Sequence, residues 1–151
     1  GCSAVDVQAM VLGGHGDSMV PLASSATVGG VPITQLIEPG RLEEIIQRTR
    51  DGGAEIVGLL KQASAFYAPS AGVTEMVASI IRNEGRVMPV SVLLKGEYGI
   101  SNCFLGVPVK LGAGGVEEII EVALSHEEMA ALQASAGHVQ ETVAAWERLS
   151  A

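Results

Sequence analysis

Two runs, Val87-Met88-Pro89-Val90-Ser91-Val92-Leu93-Leu94 and Cys103-Phe104-Leu105-Gly106-Val107-Pro108-Val109-Lys110-Leu111, flank the turn residues Gly96-Glu97-Tyr98-Gly99 and decide the architecture. Both runs are short, apolar and rich in β-branched residues, and the turn between them carries glycine at each end, so they predict a pair of antiparallel strands. The next segment, Val116 to Val122, fits two patterns. Val116, Ile119 and Ile120 lie on one helical face, whereas the β-branched content and the preceding Gly112 to Gly115 turn fit a strand. Its shortness favours the strand, and hence a meander.

Working outward, Val73, Met76, Val77, Ile80 and Ile81 follow the i, i+3, i+4, i+7, i+8 template of an amphipathic helix, with Asn83-Glu84-Gly85 as its stop. Before it, Ile56, Leu59, Leu60 and Ala63 form a helical pattern running up to Pro69, which is expected to end or kink it. An earlier helix begins after Pro39-Gly40, with Leu42, Ile45 and Ile46 inward and Glu43 and Glu44 near the positive end of its dipole. It is expected to halt or bend at Gly52-Gly53. Residues 5 to 12 predict a strand, interrupted by Gly13 to Asp17 and resumed at Met19-Val20-Pro21-Leu22, and Gly29-Gly30-Val31-Pro32 predicts a turn. At the other end, Ser125-His126-Glu127-Glu128 is a capping box above a stripe of Met129, Leu132, Ala136, Val139, Val143 and Trp146. The chain therefore reads as α+β, a mostly antiparallel twisted sheet packed with long amphipathic helices, and not as alternating βαβ units.

Composition narrows the function. At 151 residues and 48% hydrophobic content the chain can bury a real core. A formal charge of −8 argues against nucleic acid or an anionic membrane as partner. No apolar run is long enough to span a bilayer and no leader pattern opens the chain, so a cytoplasmic location is expected. Cys2 and Cys103 have neither metal nor redox spacing and read as reduced thiols. The start at Gly1, leading at once into a strand-like run, suggests a cut from a longer chain.

The residue with the most chemistry to offer is His15, set between glycines in Gly13-Gly14-His15-Gly16-Asp17-Ser18 at a strand end. Small flanks let a substrate and a second protein segment approach the ring, and imidazole exchanges protons near neutral pH, as a general base for a hydroxyl-bearing substrate must. Two roles are open to it: such a base, or a turn histidine bonded to backbone. Asp17, two residues on, is open to the same division between an orienting partner and a turn-stabilising residue. His126 and His138 read as solvated helix positions, and the three histidines have no metal-ligand spacing. No Gly-x-Ser-x-Gly elbow is present, and the glycines at 112, 114 and 115 read as a hairpin turn, not a phosphate cradle. Arg41, Arg48, Arg50 and Arg82 sit at ordinary surface-helix positions and none is assigned to substrate.

The string Val-Leu-Gly-Gly-His-Gly-Asp-Ser-Met-Val-Pro-Leu, Val11 to Leu22, resembles the lactate/malate dehydrogenase family, on the side of the lactate-dehydrogenase-like malate dehydrogenases. The likeness continues through Gly30-Val31-Pro32-Ile33-Thr34, Arg48-Thr49-Arg50, Gly52 to Val57, Ser64 to Pro69, Gly96 to Gly99 and Gly106 to Gly112, and so covers essentially the whole chain. It implies that residues 1–151 are a C-terminal substrate domain whose NAD-binding Rossmann domain lies outside this chain, and that His15 accepts the hydroxyl proton of malate as hydride passes to NAD. The family's histidine-orienting aspartate, its carboxylate-clamping arginine and its selectivity loop lie upstream of the motif, so Asp17 does not inherit the aspartate's role. The expected substrate is a small 2-hydroxy or 2-keto dicarboxylic acid, with no nucleic-acid or membrane partner. Alone, the chain is expected to bind no NAD, to show little activity and to self-associate as a homo-oligomer. A lactate dehydrogenase domain, or a non-catalytic oligomerisation or binding module, is the alternative.

Overall fold

A computed structural model describes residues 1–150. In chain order the strands are β1 (Val7–Gln8), β2 (Val11–Gly13), β3 (Met19–Pro21), β4 (Thr27–Val28), β5 (Val31–Pro32), β6 (Arg86–Lys95), β7 (Ser101–Gly112) and β8 (Gly115–Ile119). The long helices are α1 (Pro39–Leu60), α2 (Tyr67–Ile81) and α3 (His126–Ser150). All pairings are antiparallel, and the main sheet has five strands in the order β3-β2-β7-β6, with β8 also on β7. The α+β reading and the meander β6-β7-β8 are borne out.

The β6/β7 register sets Met88 opposite Val109, Val90 opposite Val107, Val92 opposite Leu105 and Leu94 opposite Cys103. Opposed residues share a face of the sheet, so alternate positions of both strands point the same way. That face is the core. Leu105, Val107 and Val109 are fully buried there, and Leu132 and Ala136 of α3 join the same cluster with Leu12, Val20 and Leu22. On α2, buried Ser79 fixes the helix to the sheet by donating to the Leu111 carbonyl at 2.6 Å. The β6–β7 turn is tied to the chain after β8, where the buried Tyr98 hydroxyl donates to the Ile120 carbonyl and accepts from the Val122 N–H. Burial pushes that phenol above its ordinary pKa.

Three expectations are corrected. Residues 5 to 12 are not one strand: after a 3-10 turn at Ala4–Asp6, β1 joins β4 and β5 in a separate three-stranded sheet, and only β2 enters the main one. In that small sheet Gly29 and Gly30, with φ of 56° and 83°, make the tight β4–β5 turn that other residues would resist. The second correction concerns α1, which runs unbroken through Gly52-Gly53. Two glycines cost a helix about 1 kcal/mol each, too little to stop one carried on both sides by good helix formers. The bidentate Arg48–Glu55 pair, at 2.7 and 3.0 Å, spans the glycine turn from the exposed side. That hydrogen-bonded pair raises the Arg48 pKa and holds Glu55 below the usual carboxylate range. Third, Pro69 does not end a helix but lies in the first turn of α2, where its missing N–H would have had no intrahelical acceptor.

The capping box at the start of α3 forms as the sequence predicts. Glu128 N–H donates to Ser125 Oγ at 3.1 Å, and the Glu128 carboxylate accepts from the Ser125 N–H at 2.8 Å. The same carboxylate also accepts from Ser24, through its N–H at 3.0 Å and its hydroxyl at 2.6 Å, tying α3 to the segment after β3. Burial alone would raise this carboxyl, but the hydrogen bonds from Ser24 and Ser125 together outweigh it and hold Glu128 below its ordinary value. A depressed folded-state pKa contributes stability that is present above the unfolded value of about 4.3 and is lost as pH falls through the folded one. Thermal denaturation followed against pH is therefore expected to show a decline setting in below about pH 4.3 that Glu128→Gln makes shallower. An identical acid profile in the variant would show that this carboxylate is not a stabilising acceptor.

Candidate functional site

His15 lies just past the end of β2, in extended backbone with φ −103° and ψ 149°, and it opens the 3-10 turn Gly16–Ser18 that leads into β3. The glycines before it answer to close packing. A Cβ on Gly13, whose φ is 91°, would stand 2.7 Å from Ser135 Oγ on α3 and 3.0 Å from the Ser18 carbonyl. On Gly14 it would stand 2.6 Å from Ser18 Oγ, and on Gly106 of β7 it would stand 2.8 Å from the Gly13 carbonyl oxygen. The loop is thus wedged between β7 and α3, so the second protein segment that the small flanks admit is α3. Gly16 by contrast faces open space, and its φ of 77° is what the turn requires.

Two hydrogen bonds hold the backbone on either side of the ring. The Gly14 N–H donates to Ser135 Oγ at 2.8 Å, and the Ser18 hydroxyl donates to the His15 carbonyl at 3.4 Å. The imidazole itself is exposed, and no hydrogen bond joins it to the described residues.

Among the described residues Asp17 makes neither a hydrogen bond nor an ion pair with His15. It lines a cleft of about 450 Å³ together with Arg50 and Asp51 of α1 and Ser135 and His138 of α3. Arg50 spends its Nε on the Met19 carbonyl at 3.2 Å. Of the other arginines weighed from sequence, Arg41 pairs with Glu44, Arg48 with Glu55 and Arg82 with Glu84, all on the surface. His126 and His138 are exposed positions of α3, and among the described residues no three metal-ligating side chains gather. Gly112 to Gly115 form the β7–β8 turn, as read. Cys2 is exposed and Cys103 buried, both unpaired, and burial raises the Cys103 thiol pKa.

Sequence reasoning passed over Ser135. A hydroxyl set between Leu132 and Ala136, on the apolar stripe of α3, was the available signal: a buried polar residue on such a face needs a partner.

Comparison with known proteins follows the same outline. Residues 1–148 match the family model described as the lactate/malate dehydrogenase, alpha/beta C-terminal domain. The malate dehydrogenase of Thermomicrobium roseum is 57% identical over 150 residues, covering 99% of this chain and 48% of its own length. The solved malate dehydrogenase of Salinibacter ruber superposes with a TM-score of 0.95 at 51% identity, covering 98% of this chain and 48% of that one. A lactate dehydrogenase from Eimeria maxima, solved with NADH and oxamate, superposes at 0.94 with 39% identity, over 99% of this chain and 48% of that one. The chain spans about half the length of these relatives. Matched by that family model over residues 1–148 and by these relatives over nearly its full length, it belongs to the lactate/malate dehydrogenase C-terminal domain family.

Proposed function

We propose that residues 1–151 are the substrate domain of an NAD-dependent malate dehydrogenase, which interconverts L-malate and oxaloacetate, and that His15 is its general base. The observation that carries this reading is an exposed imidazole without a hydrogen-bond partner among the described residues, on a backbone anchored at both sides. A base must be free to meet a substrate hydroxyl and held where the hydroxyl will be. In the oxidation, the substrate O–H bond breaks and its proton passes to the ring nitrogen of His15 while the carbon gives up hydride; in the reduction His15 returns the proton. Malate is favoured over lactate by the relatives at 50–57% identity, all malate dehydrogenases.

The described residues do not fit a dinucleotide. Every strand pairing is antiparallel and no Gly-x-Gly-x-x-Gly loop opens a helix, so the phosphate cradle of a Rossmann unit is not formed from them. The reading assigns the hydride acceptor, NAD, to a nucleotide-binding half outside this chain, together with the arginines that bind the substrate carboxylates. It also assigns a homo-oligomeric state, supported by the apolar side chains left exposed at the end of α1, just before α2 and on α2, among them Leu59, Phe66, Val73 and Ile81. No helix among the described residues is long and apolar enough to cross a membrane, and two unpaired cysteines accord with a reducing cytoplasm.

One set of measurements on the full-length protein and on this chain tests the whole. The full-length protein is expected to sediment as a dimer or larger, to bind NAD, and to reduce it with L-malate at a far higher kcat/KM than with L-lactate. Titration calorimetry on residues 1–151 alone is expected to give no saturable NAD binding. A full-length protein without turnover on either acid would favour a binding or oligomerisation module.

A further inference from the structure

We infer that Ser135 is a positioning residue for His15: from α3, 121 positions along the chain from Gly14, its hydroxyl fixes the peptide plane that aims the imidazole. This rests on the functional reading above. The Gly13–Gly14 peptide is held at both ends. Its N–H donates to Ser135 Oγ at 2.8 Å, and its carbonyl oxygen is pressed so near β7 that a Cβ on Gly106 would come within 2.8 Å of it. Rotation of that plane would swing the Cα–Cβ bond of His15, the next residue. Ser135 is only 2% exposed, and its Oγ fills the space a Gly13 side chain would need. With the acceptor removed, the Gly14 N–H keeps no protein partner and the peptide loses one of its two restraints. The Ser18 hydroxyl, which lies beside Gly14, donates to the His15 carbonyl at 3.4 Å and makes no bond to the Gly14 N–H. A base misplaced by about 1 Å can cost about 10²-fold in rate, so a residue that touches neither substrate nor base can still govern turnover.

The test uses the full-length protein. Ser135→Ala is expected to lower kcat for malate oxidation by about 10- to 100-fold while the Kd for NAD is unchanged. In a His15→Asn background the same substitution is expected to cost nothing further, because its effect runs through the ring that is already gone. An unchanged kcat, or an equal loss added to that of His15→Asn, would overturn the inference and leave Ser135 a packing residue. Should Ser135→Ala fail to fold, amide hydrogen exchange in the unaltered protein decides: the Gly14 N–H is expected to be protected well beyond Gly16, and exchange as fast as at Gly16 would overturn the inference. The exchange measurement needs no turnover, so failure of the functional reading and failure of this one are distinguishable.

Discussion

In the full-length protein, His15→Asn is expected to slow the chemical step by about 10²–10⁴-fold, the span that a positioned general base commonly supplies. Asparagine keeps the approximate size of the ring and some of its hydrogen bonding but cannot take a proton near neutral pH. The fold should not notice. His15 is exposed, its ring bonds to none of the described residues, and the loop is held by Gly14, Ser18 and Ser135 through backbone and hydroxyl atoms that the substitution leaves in place. Surface changes of this kind usually shift stability by no more than about 0.5 kcal/mol. Single-turnover kinetics and a thermal melt on the same preparation give both numbers. Normal turnover with a large drop in melting temperature would reverse the assignment, and the ring would then be structural.

The parts of this fold that could be read from sequence are those where one local pattern was enough. The β6–β7 hairpin, the capping box at Ser125 and the apolar stripe on α3 from Met129 to Val139 each need only a period and a bounding turn, and each forms where the pattern places it, whereas Val143 and Trp146 at the end of that stripe are exposed. The misreadings arise where tertiary context overrides a local signal. Gly52-Gly53 looks like a stop, yet the helix continues because a mild propensity cost is smaller than the hydrogen bonds and the Arg48–Glu55 tie on either side. Pro69 looks like an end because proline breaks helix interiors, but the same missing N–H is harmless in a first turn, and sequence alone does not say which side of the proline the helix is on. The division of residues 5 to 12 between two sheets has no local mark at all. At the site, His15 and its glycines were legible as a unit, whereas the reason for Gly13 was not: the nearest atom a side chain there would meet is Ser135 Oγ of α3, near the other end of the chain. Long-range packing of that kind writes only a faint trace, here one serine on an apolar helix face.

That same helix face carries the largest expected stability effect. Leu132 is wholly buried, at 0% exposure, in the cluster that α3 shares with Leu12, Val20, Leu105 and Val107, and it lies one turn before Ser135. Leu132→Ala removes three buried carbons from a site walled by rigid strands on one side, so the cavity should collapse only in part, and the expected cost is about 2–5 kcal/mol. For a domain near this size each kcal/mol moves the melting temperature by about 2–4 °C, so the midpoint should fall by at least several degrees. Leu132→Met, which conserves volume, should cost less than about 1.5 kcal/mol. Val143→Ala, on the same stripe but 48% exposed, should cost less still, because its side chain is already half in water. Denaturant titration of the three variants measures the order. If Leu132→Ala proved no worse than Val143→Ala, α3 would not be seated on the sheet through Leu132. The case for Ser135 as a fixed anchor one turn further along would weaken with it, since a hydroxyl can aim a loop only from a helix that is itself held.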